Sequence, residues 1–503
     1  MWESFLLGVD MAMRLDTFAT MAVGLVLGMF VGALPGFTTV MAMAILLPLS
    51  FFVEPLIGIP FLLGVYKGGI YGGSIPAILV SMPGTGAAVA TTFDGPALTK
   101  KRKARKALEI ALFSSVFGDL SSDILTILFI GPIALIALMI GPPELVAVLI
   151  LALIVIAATS SGVFVKGLLM MVVGLMFSLV GQDPIGALSR FTFDIFAIRA
   201  GIPLLPMLIG VYALPEILLA IERGATTVIR QRISAKEGGR LTFPEFRSCF
   251  RTICRSTAIG STIGIIPGVG QVVAAFMGYA AAKNASKTPE KFGKGELEGV
   301  AAAEAANNAV NGPTMVPLLT LGIPGDNITV ILIGAFIAQG LRPGPQLMAE
   351  QGPLVFAILV AMVLANILFL FIGYFAIPLF ARVVTIRRSL LFPLTVVFAF
   401  AGSYVPRSDP LDLLVLVFFG AFGYLAKKLN FDVTPMVMAF ILGKEIEYAL
   451  GQTLTLAQGD LLGYLIFERP ITVAILLATP VVTYLLWRRS RRLRRDFAAA
   501  ASG

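Results

Sequence analysis

Two apolar segments of the chain each contain a proline directly followed by a glycine. One reads V-S-M-P-G-T-G from Val80 to Gly86, and the other reads L-G-I-P-G-D-N from Leu321 to Asn327. Proline removes a backbone N–H donor and glycine tolerates conformations that unwind a helix, so a helix is expected to break at such a pair. The freed N–H groups of a half-helix can bind an anion, and unwound carbonyl oxygens can bind a cation. The segments therefore predict an ion-binding site built from main-chain groups, although a single pair of this kind would more often only kink a helix.

Small polar side chains accompany these breaks. Glu304 precedes Asn307 and Asn308 by three and four residues, which places all three on one face of a helix. Amide and hydroxyl groups can coordinate a carboxylate or Na⁺ without bringing a charge into the membrane. Glu304 is either an ion or proton carrier or an interfacial glutamate near a helix start. The candidate substrate- and ion-binding residues are Pro35, Gly36, Tyr71, Gly72, Gly73, Ser74, Pro83, Gly84, Thr85, Pro267, Gly268, Glu304, Asn307, Asn308, Pro324, Gly325, Asp326 and Asn327, with Na⁺ expected at Asn307 and Asn308 if it is bound.

Three other charged residues stand in apolar sequence. Lys67 would suit an anionic substrate, or it faces the mouth of a cavity. Asp119 and Asp123 follow a basic loop with a spacing of four residues, and we interpret them as helix-end or subunit-contact residues rather than as an ion site.

The composition defines the elements that must position these residues. The chain has 503 residues, of which 57% are hydrophobic and 13% charged, and its mean hydropathy is +0.93. A soluble core could not hide so many apolar side chains, so we predict an all-α integral membrane protein with about 10–12 membrane segments. The chain has no histidine, which excludes histidine-based catalysis, and no nucleotide-binding glycine loop. Neither a catalytic residue nor a metal centre is expected. The net charge of +9 comes from basic clusters beside apolar runs, as in cytoplasmic loops, and does not indicate nucleic-acid binding.

An internal duplication is visible in the sequence. Pro35-Gly36 and Pro267-Gly268 belong to matching G-x-x-P-G motifs, and Ile75–Gly84 matches Val316–Gly325. We predict residues 1–222 as a first repeat with an N-terminal helix, 223–256 as a basic cytoplasmic linker, 257–450 as a second repeat, and 451–503 as a final transmembrane helix with a basic tail.

Charge indicates the orientation of the two copies. Lys100–Lys106 contains six basic residues, whereas the matching part of the second copy, Leu341–Gly352, contains only Arg342. The link between the two Pro-Gly elements is basic in the second copy and not in the first. Because Lys and Arg mark cytoplasmic loops, we predict inverted repeats with broken helices and a cytoplasmic C-terminus. The first Pro-Gly element of each copy would then be a re-entrant hairpin, with a pair of ordinary crossings as the alternative.

The motifs that carry these residues resemble a known family. Y-G-G-S-I-P-A-I-L-V-S-M-P-G-T from Tyr71, A-E-A-A-N-N-A-V-N-G from Ala303 and Q-G-L-R-P-G-P from Gln339 are similar to the large membrane subunit of the tripartite tricarboxylate transporter family. The resemblance extends from G-A-L-P-G to F-E-R-P-I, close to the C-terminus. Positions that depart from the family pattern, and that we expect to bear on the choice of substrate, are Lys67, Pro76, Asp119, Asp123 and Asp326.

The resemblance implies a function and partners. Such proteins take up citrate and other small carboxylates by secondary transport in the bacterial inner membrane, driven by Na⁺ or H⁺. They work with a small four-helix membrane subunit and a periplasmic solute-binding protein. We therefore expect the permease subunit of an ion-driven organic-anion importer, with Na⁺ or H⁺ as its only cofactor. A passive anion channel is the alternative. The sequence leaves several points open: which carboxylate is carried, the ion stoichiometry, whether a homodimer forms, the side of the N-terminus, and whether the motion is of the elevator or the rocking type.

Overall fold

The computed structural model describes residues 2–34, 36–160, 163–186, 188–222, 239–383 and 388–501. Pro35 and the 223–238 part of the expected linker therefore lie outside the described residues. The described chain is almost entirely helical, which confirms the predicted all-α class.

The helices before residue 223 are α1 (Trp2–Ala12), α2 (Leu15–Gly32), α3 (Thr39–Leu46), α4 (Pro55–Val80), α5 (Ala88–Thr91), α6 (Gly95–Lys100), α7 (Ala104–Leu138), α8 (Pro142–Ser160), α9 (Phe164–Ser178), α10 (Leu204–Tyr212) and α11 (Leu214–Glu222). The helices after residue 238 are α12 (Phe243–Gly264), α13 (Gly270–Ala285), α14 (Leu297–Asn308), α15 (Met315–Leu321), α16 (Asn327–Ala338), α17 (Pro345–Val383), α18 (Arg388–Tyr404), α19 (Pro410–Lys428), α20 (Thr434–Leu456), α21 (Leu461–Gly463) and α22 (Pro470–Ala501). Short 3-10 turns cover Leu47–Phe52, Phe196–Ile198 and Pro289–Lys291, and a π-helical turn covers Tyr464–Glu468. Strands β1 (Gly181–Gln182) and β2 (Ser189–Arg190) form one antiparallel pair.

Within the described ranges, seven helical segments are long and apolar enough to span a membrane. They are Leu15–Gly32, Ala104–Leu138, Pro142–Thr159, Leu204–Glu222, Pro345–Phe380, Pro410–Lys428 and Pro470–Arg488. Shorter apolar helices occur at Thr39–Phe52, Phe164–Ser178, Asn327–Ala338 and Phe392–Tyr404. The chain is thus a multi-pass membrane protein, while the total of 10–12 segments, the re-entrant hairpins and the inverted orientation stay predictions.

The chain forms two compact units. Unit 1 comprises Met1–Ala134 and Tyr212–Ser408, and unit 2 comprises Leu135–Val211 and Asp409–Gly503. Each unit takes residues from both copies of the sequence duplication. In unit 2, helices α8, α9, α20 and α22 pack together, and the ring of Phe177 lies against those of Phe418, Phe419 and Phe422.

Unit 1 contains an unusually close helix pair, α2 with α4. Glycines at every fourth position of α2 meet the backbone of α4, so that a Cβ atom at any of them would overlap main-chain atoms. Equivalent contacts join α12 to α14 and the segment that follows α14. The matching pairs are Gly28 with Val65, Gly32 with Gly69, Gly260 with Ala306, and Gly264 with Val310.

The counterpart of α4 in the second copy is interrupted. Helix α4 is continuous over 26 residues, whereas the matching stretch is divided into α14 and α15 by the turns of residues 309–314. Pro313 lacks an N–H donor and Gly312 weakens a helix, so N-G-P ends α14 at this point. The turns place the polar side chain of Asn311 inside unit 1, where the candidate site lies.

Candidate functional site

Both later Pro-Gly pairs lie at true helix breaks. Helix α4 ends at Val80, and Ser81 takes a left-handed conformation with φ of 58°. Helix α15 ends at Leu321, where Gly322 has φ of 71°, a conformation that glycine adopts without a Cβ clash. Pro83-Gly84 and Pro324-Gly325 follow in non-helical backbone, as the sequence predicts.

The Pro-Gly corners contact other predicted site residues. The Gly84 N–H donates to the Gly73 carbonyl over 3.0 Å, and the Gly268 N–H donates to the Gly325 carbonyl over 2.8 Å. Pro267 and Gly268 occupy the bend between α12 and α13, and Gly36 lies in the exposed turn that follows α2. In the second copy, the two Pro-Gly elements therefore touch.

Asp326 occupies the helix start that the sequence assigned to an anion. Its Oδ1 accepts hydrogen bonds from the N–H groups of Ile328 and Thr329, over 3.1 and 2.8 Å, and so caps α16. Its Oδ2 accepts from the Tyr66 hydroxyl over 2.8 Å. The N-terminal N–H groups of α16 are already paired with a carboxylate of the protein, so this end of the site does not offer bare amides to a substrate. Asn327 is the first residue of this helix.

The matching helix start in the first copy has a neutral cap. The Thr85 hydroxyl accepts from the Ala88 N–H over 3.2 Å at the start of α5. The next two N–H groups, those of Val89 and Ala90, donate to the carbonyls of Gly86 and Ala87, so this helix start is satisfied by neutral acceptors. The two breaks thus differ in charge, although their sequences match.

Glu304 forms the centre of a polar cluster that joins the two copies. Its Oε1 accepts hydrogen bonds from the hydroxyls of Ser74, over 2.6 Å, and Thr91, and its Oε2 accepts from Ser115 over 3.2 Å. The amide of Asn308 donates to the Ser115 hydroxyl over 2.8 Å. We call these five residues the Glu304 cluster. All are at most 1% exposed, so Glu304 is not an interfacial residue. A buried carboxylate held only by uncharged donors can take up a proton or a cation.

Asn307 also lies on α14, near Glu304, but its side chain is not part of the Glu304 cluster. It is 1% exposed, and neither its Nδ2 nor its Oδ1 has a hydrogen-bond partner among the described residues. Burying an unpaired amide is unfavourable by about 1–3 kcal/mol. Such an amide offers one donor group and one acceptor group to a ligand.

Lys67, Asp119 and Asp123 form a buried ion triad. The Lys67 ammonium donates to Asp119 Oδ1 over 2.8 Å and to Asp123 Oδ2 over 2.6 Å, and all three residues are at most 2% exposed. The interpretation of the two aspartates as helix-end or contact residues is wrong, because they lie in the middle of α7 and face α4. Lys67 likewise faces its carboxylate partners rather than a cavity mouth. Charges inside a membrane protein are stable only when they are paired.

Amide and phenol groups connect this triad to Asp326. Asn311 donates to Asp119 over 3.2 Å, Gln271 donates to Asn311 over 3.0 Å, and Gln271 also donates to the Tyr66 hydroxyl over 2.6 Å. On the other side, Asn366 of α17 donates to Asp123 over 2.7 Å. A continuous set of hydrogen bonds therefore runs from α17 to the start of α16.

Several of these residues were missed from the sequence. Asn311 stands within the quoted A-N-N-A-V-N-G motif and could have been included. Tyr66, Gln271, Asn366, Thr91 and Ser115 carry no local signal, because their roles depend on which helices pack together. Conversely, the predicted Tyr71 points elsewhere: its hydroxyl lies 3.5 Å from the Leu108 carbonyl and its ring packs on Phe369. Gly72 lies against the backbone of α2 at Met29 and Gly32.

The chain is similar to a known protein family over most of its length. The family model for the tripartite tricarboxylate transporter TctA family matches residues 18–438. An uncharacterized 52.8 kDa protein in the TAR-I ttuC' 3' region of Agrobacterium vitis is 35% identical over 495 residues, which cover 97% of either chain. An uncharacterized protein in the TAR-II ttuC' 3' region of the same organism is 35% identical over 237 residues, or 47% of this chain and 97% of that one. No solved structure matches the chain significantly.

Proposed function

This chain belongs to the tripartite tricarboxylate transporter TctA family, and we propose that it is the permease of a secondary active importer of tricarboxylates or dicarboxylates such as citrate. The family implies the large membrane subunit of a three-part transport system rather than an enzyme, together with a small membrane subunit and a binding protein. In the proposal, a periplasmic solute-binding protein delivers the anion. The gradient of Na⁺ or H⁺ across the bacterial inner membrane drives uptake, and the C-terminus lies in the cytoplasm.

The observation that carries the proposal is the unpaired, buried amide of Asn307 beside the Glu304 cluster. Its Nδ2 can donate to a substrate carboxylate without placing a fixed cation in the membrane. The first-copy break carries the neutral cap of Thr85 rather than a carboxylate, so it adds no negative charge that would repel the anion. We therefore assign the anion to the Asn307 side chain and the first-copy break, whereas the Asn308 amide already donates to Ser115 and to the Glu304 carbonyl.

The arrangement of the Glu304 cluster supports transport between two sides. Ser74, Thr91 and Ser115 come from the first copy, and Glu304 and Asn308 come from the second. Transporters built from two repeats bind substrate where the repeats meet, so that motion of one part against the other opens the site to either side. Glu304 is closed to water in the present conformation, as an occluded state requires.

The experiment is uptake by proteoliposomes that contain the permease with its small subunit and binding protein. A panel of labelled di- and tricarboxylates is tested under an imposed Na⁺ gradient, an imposed pH gradient, or neither. Accumulation above the outside concentration under either gradient is the expected result. Equilibration without accumulation would favour the passive anion channel, and absence of uptake for the whole panel would contradict the proposal.

A further inference from the structure

The ion triad of Lys67, Asp119 and Asp123 has an uncompensated charge. One ammonium group faces two carboxylates, which leaves a formal charge of −1 when all three are ionised. The neighbouring residues that donate to the triad, Asn311 and Asn366, are neutral amides. An unpaired charge at a fully buried position is unfavourable by several kcal/mol. The triad is neutral only when it takes up one more positive charge, either a proton on one carboxylate or a monovalent cation.

The same triad also has unused oxygen atoms. Asp119 Oδ2 and Asp123 Oδ1 have no hydrogen-bond partner within the described part of the chain, and neither does Asn366 Oδ1. Asn366 is 1% exposed, and its Nδ2 bonds to Asp123 Oδ2, so its amide lies directly against the triad. Two carboxylate oxygens and one amide oxygen are the ligand types that hard cations prefer.

One of these oxygens lies directly against a glycine. A Cβ atom at Gly312 would lie 2.8 Å from Asp123 Oδ1 and 2.8 Å from the Ser122 carbonyl oxygen. A Cβ atom at position 312 would clash with the unpaired carboxylate oxygen, so only glycine fits there without displacing Asp123. Gly312 belongs to the interruption between α14 and α15, so this part of the triad adjoins a helix break.

We propose that Asp119, Asp123 and Asn366 bind one alkali cation, Na⁺, beside the Lys67 ammonium. A monovalent ion would neutralise the triad, whereas a divalent ion would leave it positively charged. The Glu304 cluster is the rival location, but both oxygens of Glu304 already accept hydrogen bonds. The claim that the triad couples Na⁺ to uptake rests on the proposed function. The claim that the triad binds a cation does not.

The test measures cation binding without substrate. The thermal unfolding midpoint of the purified chain is recorded in NaCl, LiCl, KCl or choline chloride at constant ionic strength. A ligand that binds only the folded state raises the midpoint with its concentration. We expect a saturable increase in NaCl that choline chloride does not produce.

Two variants locate the site. Asp123→Asn leaves a neutral Lys67–Asp119 pair, so it should fold without Na⁺ and lose the Na⁺-dependent increase. Asn366→Leu keeps both carboxylates but removes one oxygen and the hydrogen bond that orients Asp123. The Na⁺ concentration for half of the increase should therefore rise by about tenfold or more. Glu304→Gln is the matched control, a second buried carboxylate whose loss should leave the Na⁺ response unchanged.

Three results would overturn the proposal: no alkali cation raises the wild-type midpoint, both triad variants respond as the wild type does, or Glu304→Gln alone abolishes the response. Because no substrate is present, these results leave the importer proposal untouched. Conversely, failure of uptake in proteoliposomes would leave a measured Na⁺ site intact.

Discussion

The hydroxyl of Ser74 donates to Glu304 Oε1 over 2.6 Å, although the two residues are 230 positions apart in the chain. Ser74 belongs to α4 of the first copy, and Glu304 belongs to α14 of the second. Their contact means that the carboxylate is satisfied only when both copies are folded against each other. Substitutions in this cluster should therefore affect stability and transport in separable ways.

Ser115 and Ser114 form a matched pair of fully buried neighbours in α7. Ser115 donates to Glu304 and accepts from Asn308, whereas the Ser114 hydroxyl has no partner among the residues that the structure describes. Ser115→Ala should lower the free energy of unfolding by about 1.5–3 kcal/mol, the usual contribution of a hydrogen bond to a charged group. Ser114→Ala should leave it unchanged or raise it. Equal effects in a thermal or denaturant unfolding assay would contradict the assigned network.

Substitutions at Asn307 and Asn308 should distinguish an effect on substrate binding from an effect on stability. Asn307→Ala removes an amide without a described partner, so stability should stay unchanged or rise. The KM for uptake should rise by about tenfold or more, as expected for the loss of a hydrogen bond to a charged ligand. Asn308→Ala removes a bond to Ser115, so the free energy of unfolding should fall. Proteoliposome kinetics and melting curves on both variants check this. An unchanged KM for Asn307→Ala would remove Asn307 from the substrate site.

Gly84 and Gly86 test the break in the first copy. A Cβ atom at Gly84 would lie 2.7 Å from the Gly73 Cα and overlap the Gly32 carbonyl, which are main-chain atoms with no freedom to move aside. A Cβ atom at Gly86 would meet only the side chain of Val272, at 3.0 Å. Gly84→Ala should therefore lower the free energy of unfolding by about 1–3 kcal/mol or more and abolish uptake. Gly86→Ala should retain most of the uptake activity. Uptake per folded molecule, measured after size-exclusion chromatography, distinguishes the two.

Glu245 gives a pH dependence outside the membrane segments. Partial burial opposes its ionisation, but hydrogen bonds from Lys106 and from the N–H and hydroxyl of Thr242 outweigh this and lower the pKa of Glu245 from 4.5 to about 2. A lowered pKa in the folded state stabilises the protein above about pH 4.5, and this contribution is lost as the pH falls towards 2.

The start of α12 should therefore loosen from α7 in that pH window. Hydrogen exchange of residues 242–250 should accelerate as the pH falls, after correction for the intrinsic rate. Glu245→Gln should show fast exchange at every pH and no step. If the variant keeps the step, another group is responsible.

The helical class and the positions of the helix breaks could be predicted from the sequence, because Pro-Gly pairs and long apolar runs act locally. That Lys67, Asp119 and Asp123 need partners could also be predicted, because charged side chains in apolar helices are stable only when they are paired. Their pairing could not be derived, since it depends on α4 packing beside α7. Asn366 and Gln271 are ordinary polar residues until the fold places them against Asp123 and Tyr66.

The sequence also suggested that bare main-chain dipoles hold the anion at both breaks. Asp326 corrects this for the second copy, because its carboxylate takes the N–H groups of α16. The motif L-G-I-P-G-D-N contains the aspartate, but capping by Asp326 and ligand binding at the same helix start compete for the same donors. The fold decides between them, because Asp326 lies at the helix start with its Oδ1 on these donors.

The glycine-lined contact between α2 and α4 has a mechanical consequence. Where backbone touches backbone, no side chain is present that could change rotamer and let the helices slip. The two helices should then move as one rigid body, so that any displacement of Ser74 in α4 also displaces Gly32 in α2. During a transport cycle, the backbone should bend where helical hydrogen bonding stops, which is after Gly32 in α2 and after Val80 in α4.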